Sequence, residues 1–165
     1  MRSFRFPLLF VLTLALTSFS FFAENIDPQN ALELRGIIDL DLSGYTGKAI
    51  HLVANADISD LSDYGIGVAN NGGGTDGREY DFPNTEVHAG DHILVARSAT
   101  AMQQYLPNCF VTFDHVFDAS GIFNFNGDDA IELFDGPNVI ETYWDVKENG
   151  SGTAWEDRRA PWDGR

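Results

Sequence analysis

Several short segments of the chain alternate apolar and other side chains with a period of two, the spacing of a β-strand that buries one face. In residues 49–54, for example, Ile50 and Leu52 point to one side while His51 and Val53 point to the other. Other runs are rich in aromatic and β-branched residues, which favour strands. The pattern predicts strands at 32–34, 49–54, 65–69, 79–82, 92–97, 110–113, 130–134 and 139–143.

The segments between these strands carry turn and helix signals. Asp135-Gly136-Pro137-Asn138 separates the last two strands, and a short turn of this composition between two such runs predicts a hairpin. Only residues 98–106 favour a helix, because they contain good helix formers, begin with Ser98 and precede Pro107. About seven or eight strands with one short helix predict an all-β fold, either a sandwich or a barrel.

The first 23 residues have the layout of a secretory signal peptide. Arg2 and Arg5 form a positive start, residues 8–16 form an apolar run, and small polar residues follow. The apolar run is short for a membrane span, which needs about 20 residues, although an uncleaved anchor is an alternative. We therefore expect a secreted or extracellular protein, in the periplasm or on the cell surface in some settings, with no membrane span in the mature chain. Residues 24–30 are interpreted as a leader.

Charge and cysteine content narrow the classes of partner and site. The chain has 165 residues and a formal charge of −15, so a single domain is expected and nucleic acid is excluded as a partner of the module itself. The single cysteine, Cys109, excludes an internal disulfide and multi-cysteine metal sites. We interpret Cys109 as a small buried side chain rather than a reactive thiol.

Four motifs follow one another in the order of a known family. They are DLSDYGI at 60–66, YDFP at 80–83, AGDHILVAR at 89–97 and GDDAIEL at 127–133. In this order they resemble the lamin tail domain family, especially its secreted bacterial members, over about residues 32–145. The resemblance implies an immunoglobulin-like β-sandwich and an accessory, non-catalytic role beside other exported proteins.

The resemblance divides the chain into a domain and a tail. Residues 31–146 are assigned to the lamin-tail-like β-sandwich, and residues 147–165 to a C-terminal tail. Three basic residues fall in the last eight positions, and the tail lacks the aromatic strand expected after Trp155, so a truncated or altered end is expected, with a genuine short basic tail as the alternative. The last part of the sequence has three tryptophans, Trp144, Trp155 and Trp162. One interpretation is that they form a platform on which sugars stack, and the alternative is that they are buried.

Two acidic loops are candidate calcium sites. Asp39 and Asp41 begin a segment that resembles the start of an EF-hand loop, but Ile50 stands where the bidentate carboxylate belongs. The second loop offers oxygen ligands in Asn124, Asn126, Asp128 and Asp129. Solvated turns are the alternative interpretation of both loops.

The rest of the sequence offers few candidate metal-binding or catalytic motifs. His88 and His92 flank the Gly90-Asp91 turn without a third zinc ligand. No nucleophile elbow, phosphate-binding loop or dinucleotide motif occurs. We therefore expect no catalytic residues and no cofactor other than calcium. The sequence favours a secreted binding or scaffolding module for a protein or polysaccharide, and a metal-dependent hydrolase or a calcium-dependent carbohydrate-binding module are the alternatives.

Overall fold

The computed structural model describes residues 31–127 and 129–149. The predicted signal peptide, the leader, Asp128, Trp155 and Trp162 lie outside these residues, as does most of the predicted tail. None of the helices in the described part of the chain is long and apolar enough to cross a membrane.

Two four-stranded sheets make up the fold. The first sheet has the order β1-β2-β5-β6 and the second the order β4-β3-β7-β8. The strands are β1 (Leu32–Leu40), β2 (Gly47–Ala54), β3 (Tyr64–Ala69), β4 (Tyr80–Asp81), β5 (His92–Ala96), β6 (His115–Asp118), β7 (Ala130–Asp135) and β8 (Asn138–Tyr143). The helices are α1 (Ala99–Tyr105) and α2 (Pro107–Phe110), and 3₁₀ turns occupy Ser43–Tyr45, Leu61–Asp63 and Asn70–Gly72.

The core lies between the two sheets. Both sheets contribute inward-facing side chains that are 0–1% exposed, among them Leu32, Ile50, Leu52, Ile93, Ile66 and Leu133. These positions alternate along their strands as the period-two pattern predicts. The prediction of an all-β sandwich is confirmed at this level.

The local predictions of a helix and a hairpin are also confirmed. The Ser98 side chain caps α1 by accepting a hydrogen bond from the backbone N–H of Ala101. β7 and β8 form the predicted hairpin, in which Asp135 pairs with Asn138. The connecting residues are therefore only Gly136 and Pro137, and Gly136 adopts a positive φ of 53° that suits glycine.

The predicted strand at 110–113 is wrong. Pro107 occupies the first turn of α2, a position that proline tolerates well, and the chain stays helical to Phe110. The strand of this region begins later, at His115. Phe110 and Phe113 pack instead against a second apolar cluster around Met102. An apolar aromatic run predicts burial, but so short a run does not distinguish a strand from a helical turn.

The crossover between β5 and β6 covers the outer face of the first sheet. Neighbouring strands pair antiparallel except β5 and β6, which pair in parallel. A parallel pair requires a crossover connection, and here it contains α1 and α2. The first sheet is therefore apolar on both faces, because the side chains on its outer face pack beneath these helices.

Candidate functional site

A groove of about 400 Å³ lies between the outer face of the first sheet and the crossover. Its apolar wall consists of Ile38, Leu94, Met102, Leu106, Phe110 and Phe113. His51 and His92 from the sheet and Cys109 and Thr112 from the crossover complete the lining.

Side-chain size along the two central strands creates the groove. Ala49 lies opposite Ala96, and both fully buried residues cluster with Met102 of α1. Two residues further along β2, His51 lies opposite Leu94. The helices pack against the small residues, and the larger side chains line the space beside them.

The two histidines form a hydrogen-bonded pair on this outer face. His51 Nε2 lies 2.9 Å from His92 Nδ1. The rings are stacked, with centroids 5.1 Å apart and planes inclined by 25°. Phe113 contacts the His51 ring edge to face, also at 5.1 Å. The pair is the main polar feature of an otherwise apolar site.

The environment keeps His51 neutral at pH 7. Burial, which is the largest cause, and the charges of His92 and Arg35 together lower the pKa of His51 from 6.5 to about 4. A hydrogen bond between two imidazoles also requires one ring nitrogen to accept, so at least one ring is neutral. The groove contains no acidic side chain, lysine or arginine among its lining residues.

Turn contacts hold the start of β5 and thereby position His92. The His92 backbone N–H donates to Asp114 Oδ2 at 2.8 Å. Asp91 accepts from the His88 backbone N–H at 2.8 Å and contacts His115 Nε2 at 3.1 Å. The hydrogen bond from the His88 backbone, aided by His115, lowers the pKa of the Asp91 carboxyl.

Cys109 is exposed, so the expectation of a buried side chain is wrong. The residue lies in the single turn of α2, where Leu106 and Phe110 face the apolar cluster. Within the described ranges, no hydrogen bond joins the Cys109 thiol to either groove histidine. The groove therefore lacks the nucleophile–base contact that covalent catalysis needs.

His88 and His92 interact with different partners. His88 Nδ1 lies 3.7 Å from Asp57 Oδ1, whereas His92 contacts His51. In residues 31–127 and 129–149, no group of three or more His, Cys, Asp or Glu side chains is arranged to hold a metal ion.

Members of both predicted calcium loops line one shared pocket. Asp39, Asp41 and Asn126 surround a space of about 210 Å³, which Lys48 also lines. The Lys48 side chain is only 4% exposed, and its Nζ lies 2.7 Å from Asp39 Oδ1. The ammonium also lies 5.2 Å from the Phe125 ring centroid. An internal cation therefore already neutralises Asp39.

Asp129 has a structural position in the second loop. Its side chain is fully buried. Oδ1 accepts the Asn71 backbone N–H at 2.7 Å, and Oδ2 accepts that of Asn126 at 2.6 Å. Oδ1 thus joins the turn at Asn71 to this loop and Oδ2 closes the loop itself, while Asn124 is exposed.

The sequence did not predict the His51–His92 pair or the groove. One signal was present, since His51 interrupts a strand whose neighbours Ile50 and Leu52 face the core. Its partner is 41 residues away, so only the strand register brings the two rings together.

Comparison with protein-family models, with curated proteins and with solved structures finds no match to this chain. The resemblance to lamin tail domains rests on the four motifs.

Proposed function

We propose that this protein is a secreted, non-catalytic binding module of the lamin-tail type, with an immunoglobulin-like arrangement of its sandwich. The groove between the first sheet and the crossover is its ligand site. Export is part of the proposal because of the composition of residues 1–23.

The groove is the observation that carries this proposal. Ligand sites are typically concave and mostly apolar, with a few polar groups that fix orientation. A volume of about 400 Å³ with two imidazoles in an apolar lining fits that description. A titratable group with a strongly shifted pKa, here His51, is a further mark of functional sites.

Binding is favoured over hydrolysis by the contacts of the titratable groups. The groove histidines bond to each other, and the exposed thiol bonds to neither. Hydrolysis needs a positioned base or an activated nucleophile, and the groove offers neither arrangement.

A fluorescence titration tests the proposal. The neutral dye N-phenyl-1-naphthylamine should bind the purified protein saturably at one site, with its emission enhanced. Cys109→Trp should abolish the enhancement by filling the groove from its rim. Asn108→Trp is the matched control, because Asn108 is the exposed neighbour on the same helical turn and does not line the groove.

Catalytic turnover would contradict the proposal. The protein should not hydrolyse nuclease, phosphatase or glycosidase substrates, with or without a chelator. Metal-dependent turnover that the chelator removes would support the hydrolase alternative instead.

Calcium-dependent carbohydrate binding remains the other candidate; its donors would be Asp39, Asp41 and Asn126, and calcium would have to compete with Lys48 for Asp39. It requires millimolar calcium to raise the melting temperature. An unchanged melting temperature would remove this candidate.

A further inference from the structure

We infer that the groove takes a small, neutral aromatic molecule that carries one hydroxyl or N–H group, which bonds to the His51–His92 pair. This inference rests on the proposed binding function and specifies its ligand.

The charge of the lining favours a neutral ligand. The groove has no acidic side chain to pair with a cation and no lysine or arginine to pair with an anion. Burying an unpaired ion is strongly unfavourable. The formal charge of −15 on the whole chain further opposes anions.

Size and lining favour an aromatic ligand. A volume of about 400 Å³ lies at the small end of the range for ligand pockets, roughly 300–1,000 Å³, and suits two or three rings. Phe110, Phe113 and Met102 supply aromatic and thioether contacts, which favour ring edges and faces.

The histidine pair supplies a matched polar group. The bond between His51 Nε2 and His92 Nδ1 leaves one nitrogen free for other bonds on each ring, His51 Nδ1 and His92 Nε2. Whichever neutral ring donates in the shared bond, one of these nitrogens is a donor and the other an acceptor. The pair can therefore accept from a ligand hydroxyl or N–H in either tautomer, and the tautomer decides which ring accepts.

Displacement of the bound dye by three naphthalene derivatives at neutral pH tests the ligand class. We expect 2-naphthol to bind most tightly. Naphthalene, which lacks the hydroxyl, should bind about fivefold more weakly, the ratio that one net hydrogen bond gives. The anion 2-naphthoate should bind at least about tenfold more weakly than 2-naphthol, because its charge has no partner in the groove.

A histidine variant tests the hydrogen bond. Because either ring can supply the acceptor, both are replaced: His51→Leu/His92→Leu should bring 2-naphthol and naphthalene to nearly equal affinity without weakening the binding of naphthalene. Both side chains lie on the outer face of the first sheet and neither is fully buried, so the double variant should fold. His88→Leu is the control, since His88 is exposed in the same turn and does not line the groove.

The outcomes distinguish the inference from the proposed function. If the dye does not bind saturably, or if a folded Cys109→Trp variant binds it normally, the groove is not the ligand site and both fail. If the dye binds at the groove but 2-naphthoate competes as well as 2-naphthol, only the ligand class is overturned. An unchanged preference for 2-naphthol in a folded His51→Leu/His92→Leu variant also overturns the inference alone.

Discussion

His51 makes the stability of the protein depend on pH, because the pKa of its ring differs between the folded and the unfolded chain. The pKa of His51 is about 4 in the folded protein, against an ordinary value of 6.5. Between these values the unfolded chain binds a proton that the folded chain does not bind, so stability falls as the pH drops from 6.5 to 4. The loss is complete below about pH 4. Its upper bound is about 3 kcal/mol, which solvent around the partly exposed ring reduces.

Replacing His51 should remove this component of acid sensitivity. The free energy of unfolding of His51→Leu, measured by urea denaturation, should fall about 1–3 kcal/mol less than that of the wild type between pH 7 and about pH 4.5. His88→Leu is the control for replacing an exposed histidine by leucine. Parallel curves for wild type and His51→Leu would contradict the assigned pKa.

The Lys48–Asp39 pair is asymmetric because its members differ in exposure, at 4% and 29% of their side chains. Asp39→Asn leaves a buried ammonium without its carboxylate and should destabilise the protein by about 2 kcal/mol. Lys48→Met leaves a carboxylate that water can reach and should cost less than about 1 kcal/mol. Thermal and urea unfolding of both variants would measure the difference.

Asp41→Asn is the control for this pair, because Asp41 lines the same pocket and is exposed. Its effect should stay within about 0.5 kcal/mol. Equal losses for Asp39→Asn and Lys48→Met would show that burial of the ammonium does not decide the energetics.

At the scale of elements, β3 depends on glycine because a loop lies directly against it. Arg78 covers Gly65 and donates to the backbone carbonyls of Tyr64 and Gly136. A Cβ at Gly67 would lie 2.3 Å from the Gly77 carbonyl oxygen and 2.9 Å from the Phe134 ring. The close approach of the loop therefore requires a strand face without side chains.

Gly67→Ala should therefore be strongly destabilising for so small a change. The loop must move away from β3, at a cost of about 2 kcal/mol in the free energy of unfolding. Gly73→Ala in the same loop should be nearly neutral, because its Cβ meets only the Asn70 carbonyl, at 3.1 Å. A Gly67→Ala variant as stable as Gly73→Ala would contradict the described position of the loop.

The elements were largely predictable where the signal is local. Ser98 and Pro107 bound the helix, and Gly136 permits the tight hairpin, so these elements follow from a few neighbouring residues. Phe110 and Phe113 were misassigned because their burial depends on contacts with Met102 of α1. The sequence showed that these two side chains would be buried, but it did not show whether they belong to a strand or to a helical turn.

For the whole molecule, ligand binding and folding are linked through the groove. The groove exists only when the first sheet and the crossover pack together, so a ligand that binds it stabilises the folded state alone. N-phenyl-1-naphthylamine at ten times its dissociation constant should raise the melting temperature by roughly 5 °C. Calorimetry of Cys109→Trp should show no shift, and Asn108→Trp should show the full one. A shift in both variants would place the dye elsewhere.

The sequence by itself determined most of the strands and their buried faces. Alternation of side chains fixes which residues of a strand turn inward, as for Ile50 and Leu52, because neighbouring residues in a pleated strand point to opposite faces. This alternation is visible within a single segment, so it can be recognised without knowing how the strands pair.

Only the tertiary structure decided the sites. His51 meets His92 because β2 pairs with β5 in one register, and a shift of one residue would place His51 on the opposite face. Asp39 of β1 and Asn126 of a loop far along the chain meet in one pocket, and Lys48 of β2 lies there with them. Such contacts depend on the order and register of strands distant in sequence, which no single segment encodes.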